Sequence, residues 1–157
     1  MSDSEKLRKK AQSYFCDKPA NFPKGRPFNC CETVLKALAE YYDIKTDLIP
    51  KIGTGIGAGV SLSGLLCGSI SGAALFFGIM HGRNTIEESP TQTWVMVDEY
   101  LKAFQEKFHY TTCRQLTGVD MKTPEGLKKY FESIHDYSCA DRVKFAIEKT
   151  IDILEKQ

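Results

Sequence analysis

The sequence predicts an all-α fold: a single-domain helical bundle with a glycine-rich loop ahead of a buried central helix. Three observations carry this. Apolar residues recur at helical spacing, as in Val97, Tyr100, Leu101, Phe104 and Phe108. No alternating run of apolar and polar residues marks a strand. The 157 residues are about one domain's length, enough to bury a core without staples.

Residues 1–28 read as a polar, basic helix over 4–14, then an irregular arm carrying Pro19, Pro23, Gly25 and Pro27. Residues 29–157 form a four-cysteine core. Its first helix spans 30–42, with Val34, Leu35, Leu38, Tyr41 and Tyr42 on one face. A short turn over 47–52 leads into the glycine-rich stretch 53–59. Residues 67–80 are apolar nearly all round, which predicts the buried central helix. An amphipathic helix over 93–108, a turn at 113–116, a helix at 124–131 and a last helix over 139–154 complete the chain. Trp94 and the Phe and Tyr residues are expected to build core.

Lys+Arg 21 against Asp+Glu 20 gives a net charge of +1, so a nucleic acid partner is not expected. Residues 52–80 carry no charge, but they include eight glycines, and the strongly apolar part is confined to 70–80. A soluble buried helix is expected there, with no membrane partner. The first residues lack the apolar stretch of a signal peptide, so the cytoplasm is the expected compartment. Six cysteines in that setting read as metal ligands or redox thiols.

The cysteines fall at helix starts. Asn29-Cys30-Cys31-Glu32, Thr112-Cys113-Arg114-Gln115 and Ser138-Cys139-Ala140-Asp141 share one pattern: a capping residue, Cys at the first helical position, then an acid or amide. Cys67 opens a helix without so clear a cap. A helix N-terminus favours a thiolate, so Cys30, Cys113 and Cys139 are expected to ionise below the usual thiol value. Cys16 and Cys31 are weaker candidates; Cys16 is expected to behave as an ordinary exposed thiol. Against a shared site stands the habit of cysteine to serve as a small buried hydrophobe.

Other motifs carry less. Gly53-x-Gly55-x-x-Ala58 matches a dinucleotide fingerprint superficially, but no strand precedes it. Gly64, Gly68 and Gly72 recur every four residues and predict close helix contact, either within the domain or in a symmetric homodimer. His81, His109 and His135 form no metal-binding pair; His81 and His109 fit helix C-termini.

Asn29-Cys30 with Val34-Leu35, then Gly55-x-Gly57-x-Gly59, Gly64-x-x-Cys67-Gly68-x-x-Ser71-Gly72-Ala73, Cys113 and Cys139 together resemble the C_GCAxxG_C_C family, described as redox-active. A related domain occurs in split-Soret cytochrome c. The resemblance runs from about residue 28 to 154 and makes Cys30, Cys67, Cys113 and Cys139 the family quartet. Ala58, Ser61 and Ser69 stand where the family pattern has glycine, glycine and alanine, and Cys31 replaces a small residue. The kinship with split-Soret cytochrome c implies that the quartet holds an iron–sulfur cluster.

The leading expectation is therefore a small redox protein with an iron–sulfur cluster on those four thiolates, exchanging electrons with an unidentified redox partner. A metal-free thiol–disulfide protein using the same cysteines is the alternative. Structural zinc ranks lower, because ligand separations of 37, 46 and 26 residues lack the usual close pairs. A helical interaction module with inert thiols is the remaining class.

Overall fold

In the computed structural model, which describes residues 1–156, each early helix is set by a cap that its sequence provides. In α1 (Asp3–Cys16), Ser2 Oγ accepts from Glu5 N and Ser2 N donates to Glu5. In α2 (Cys30–Tyr41), Asn29 Oδ1 accepts from Glu32 N at 2.9 Å and Asn29 N donates to Glu32 Oε2 at 2.7 Å. Such caps contribute about 0.5–2 kcal/mol each. The Asn29 amide also donates to the carbonyls of Gly53 and Thr54, tying the start of α2 to the glycine-rich loop.

That loop holds a 3₁₀ turn (Lys51–Gly53) and the short segment α3 (Gly57–Val60). The central helix α4 (Gly68–His81) buries Ile70, Ala73, Phe76 and Phe77 against α2, α5 (Thr91–Phe108) and α8 (Ala140–Glu155). Gly72 meets Val34 of α2, where an added Cβ would lie 2.9 Å from the Val34 Cβ. Gly68 and Gly72 are thus spent on α2, inside the domain, while Gly64, before α4, meets Arg114. The helix α1 packs across α2 and α8.

A second, smaller core of Cys113, Met121, Tyr130 and Ile134 lies under α6 (Cys113–Thr117) and α7 (Pro124–Ser133). Cys139 packs against both cores. Among the described residues there is no strand, only an isolated antiparallel bridge between Leu66 and Thr112. No helix among them is long and apolar enough to cross a membrane.

The architecture is all-α, as the periodicity requires, with two local differences. Tyr137 at 65% and Tyr110 at 51% are exposed rather than core, and Trp94, also 65% exposed, builds no core. It lies six residues before buried Tyr100, about 120° round the helix from the stripe that meets α4. The second difference lies before α8. Residues His135–Cys139 form a π-helical turn continuing from Ile134, and Ser138 caps nothing. Its hydroxyl bonds back to the Ile134 carbonyl, so the helix start expected at Cys139 is absent.

Candidate functional site

Four separate devices bring four cysteines round one cavity. Cys30 is the first residue of α2, behind the Asn29 cap. Cys67 and Cys113 come together through the two-stranded bridge: Cys67 N donates to Thr111 O at 2.9 Å and Cys113 N to Leu65 O at 2.6 Å. Thr112 then caps α6, accepting from Gln115 N at 3.3 Å. Cys139 is carried in by the π turn, which adds a residue between α7 and α8 and re-aims the side chain. All four thiols line the same cavity, with Ala58, Gly68, Ser69, Tyr130 and Arg142. Cys30 interacts electrostatically with each of the other three.

Glycine makes the closeness possible. A Cβ on Gly68 would lie 2.2 Å from Cys30 Sγ, and one on Gly59 would lie 2.6 Å from the Cys113 Cβ. Gly59 belongs to a run of left-handed backbone, with Ala58, Gly59, Val60, Ser61 and Leu62 all at φ between 51 and 68°. The Ala58 N–H, in this run, favours the Cys30 thiolate.

The thiols are not activated by their helix ends. Burial pushes the Cys30 thiol well above its usual range, helped by Cys67, and Cys67 itself is raised. Burial raises Cys113 to about 12 and Cys139 to about 11. Desolvation of a thiolate here outweighs the helix dipole, which reverses the lowered values expected from capping. Cys16, at the end of α1, is half-buried, and burial plus the Asp136 charge raises it to about 11. It is no ordinary exposed thiol. Cys31 is wholly buried between α2 and Gly53, a core residue raised to about 12 by burial.

Sulfur-directed donors surround the quartet. The N–H groups of Ser69 and Ile70 favour the Cys67 thiolate. The Tyr130 hydroxyl favours the Cys139 thiolate, and Arg142 Nη1 donates to that sulfur at 3.3 Å. Arg142 Nη2 is fixed by the Leu116 carbonyl at 2.8 Å, while Nε is buried without a partner. Arg142 is only 7% exposed, and no carboxylate among the described residues pairs with it. Tyr130 and Arg142 were not singled out from the sequence; the spacing of Cys139 and Arg142, one helical turn apart, was the available signal.

The donor set is all sulfur, with no carboxylate or imidazole on the cavity wall, which suits soft thiolate chemistry such as iron–sulfur or zinc. The enclosed space is only ≈ 20 Å³, about what one water molecule needs. No group of three or more His, Cys, Asp or Glu side chains among the described residues is arranged to hold a metal ion. The four thiols share one small cavity, and a larger guest requires its walls to part.

A helical domain with a buried four-cysteine cavity defines a class of small cysteine-centred proteins. Within it, residues 28–153 match the family described as "Putative redox-active protein (C_GCAxxG_C_C)", and the chain belongs to that family. No curated protein and no solved structure matches the chain.

Proposed function

We propose that this redox-active family member uses Cys30, Cys67, Cys113 and Cys139 as four thiolate ligands of an iron–sulfur cluster that serves electron transfer. The observation carrying this reading is Arg142: a buried cation, with no carboxylate partner among the described residues, held against an all-sulfur cavity. Burying a lone guanidinium is costly unless negative charge accompanies it. Four neutral thiols provide none, whereas four thiolates and a cluster do. When bound, the cluster supplies one-electron chemistry. The chain's own groups hold the charge in place: the Ala58 N–H at Cys30, the N–H groups of Ser69 and Ile70 at Cys67, and Tyr130 with Arg142 at Cys139.

The raised thiols argue against the thiol–disulfide alternative. Exchange needs an accessible thiolate near neutral pH, and these thiols are enclosed and protonated there. The small shared cavity favours that alternative, since two neighbouring thiols can pass two protons and two electrons to an external disulfide and form a disulfide without any guest.

Anaerobic purification with iron, sulfide and zinc analysis and an absorption spectrum tests the reading. Iron and sulfide in comparable amounts, lost on Cys67→Ser, are the expected result. A colourless, metal-free protein that cannot be reconstituted and loses thiols reversibly in pairs would overturn it for the alternative.

A further inference from the structure

A second cavity, a cleft of ≈ 410 Å³, opens beside the four-cysteine site and shares two walls with it, Ala58 and Tyr130. Its size lies within the range of small-molecule sites, about 300–1,000 Å³. Its lining is of two kinds. Lys24 and Arg26, from the irregular arm, bring two exposed cations. Phe28, Tyr130 and Phe131 bring aromatic rings. The one lining carboxylate, Glu32, is already held by Asn29 N at 2.7 Å and by the Thr54 hydroxyl at 2.6 Å. The His135 ring also lines the cleft; burial lowers its pKa, so it adds no positive charge near neutral pH. The balance at the cleft is therefore cationic and aromatic.

We propose that this cleft binds a small planar aromatic anion, its charged group at Lys24 and Arg26 and its ring against Phe28, Tyr130 and Phe131. The inference rests on the reading of the quartet as the redox centre, and names the class of small molecule that docks beside it. Rings attract rings beyond what area burial supplies, and the two cations select for negative charge. Tyr130 is the link between the two sites. It lines both cavities, so a ring seated against it lies one side chain from the quartet.

Calorimetric titration of the full chain with anthraquinone-2-sulfonate tests the proposal. Its comparators are neutral 2-(hydroxymethyl)anthraquinone and ring-free methanesulfonate. One saturable site per chain is expected for the sulfonated ring, with at least tenfold weaker binding of both comparators. The Lys24→Gln/Arg26→Gln pair and Phe131→Ala should each weaken the ring anion at least tenfold, with iron content and circular dichroism unchanged. If Phe131→Ala fails to fold, the charge pair, at exposed positions, decides. Cys67→Ser should lose iron yet keep binding, because it lies outside the cleft. Binding by a wild-type chain that neither holds iron nor can be reconstituted with it supports the cleft and sinks the cluster reading. No saturable binding, or wild-type affinity in the charge pair, would overturn the proposal.

Discussion

Arg142 Nη1 lies 3.3 Å from the sulfur of Cys139, one helical turn earlier, and the guanidinium is anchored on its other side by Leu116 O at 2.8 Å. The anchoring fixes a positive charge beside one sulfur of a site whose other members are Cys30, Cys67 and Cys113. In low dielectric such a charge acts strongly and is little screened by salt. Adding an electron to a cluster there adds negative charge, which Arg142 favours. Arg142→Gln should therefore make the midpoint potential more negative, and Arg142→Lys should recover much of the difference. Potentiometric titration followed by electron paramagnetic resonance reads both. An identical potential in the Gln variant would show that the cation does not act on the centre.

The raised thiols predict how the metal-free chain responds to alkali. A thiol whose folded pKa exceeds its unfolded value of about 8.5 contributes stability fully present below that value and lost as pH rises through the folded pKa. With Cys139 and Cys16 at about 11 and Cys113 and Cys31 at about 12, the window runs from about pH 8.5 to 12. Thermal unfolding of the apo chain should thus weaken progressively above pH 8.5, more steeply than in a Cys16→Ala/Cys31→Ala variant. Iodoacetamide should modify the quartet slowly at pH 8 and rapidly once the chain is denatured. Rapid native labelling of Cys30 at pH 7 would contradict the desolvation account.

The sequence made two of the four cysteine positions legible through local chemistry alone. Asn29 and Thr112 are side-chain caps because Glu32 N and Gln115 N need acceptors, and both follow from three-residue spacing. The apparent cap at Ser138 misled because helix ends are only free if the chain is not already helical. Here α7 passes through Ile134 into the π turn, and Cys139 N is already satisfied by Ile134 O. The lowered thiol pKa failed for a different reason. Burial depth is a tertiary property, and a capping motif carries no information about it. Arg142 shows the same limit: its register beside Cys139 is local, but its lack of a carboxylate depends on what α6 and α7 bring opposite.

Close approach at Gly68 separates a requirement for space from a general intolerance of the loop. An added methyl at Gly68 would meet Cys30 Sγ at 2.2 Å and the Gly57 Cα at 3.3 Å, two neighbours on different elements that cannot both withdraw. At Gly55 an added methyl meets nothing within 4 Å. Gly68→Ala should cost about 1–3 kcal/mol by overpacking and abolish iron retention. Gly55→Ala should leave iron content and melting temperature near wild type. Equal iron in the two variants would mean that the quartet tolerates expansion at α4.

The left-handed run bears on stability in the opposite sense. Val60 holds φ 63° although its side chain is branched at Cβ, and it is 40% exposed, so little packing offsets the strain. Left-handed backbone costs an L-residue about 1–2 kcal/mol, and glycine escapes it. Part of that gain is returned, because glycine enlarges the unfolded ensemble by about 0.4–1 kcal/mol. The net expectation for Val60→Gly is a stabilisation of up to about 1 kcal/mol, read as a higher melting temperature. Ser61 also sits at a left-handed φ of 51°, but its hydroxyl donates to the Gly55 carbonyl at 2.9 Å, so Ser61→Gly trades strain for a lost bond and should change little. The pair therefore discriminates. If Val60→Gly lowers the melting temperature while Ser61→Gly leaves it unchanged, side-chain contacts of Val60 outweigh its backbone strain, and the loop is held by packing.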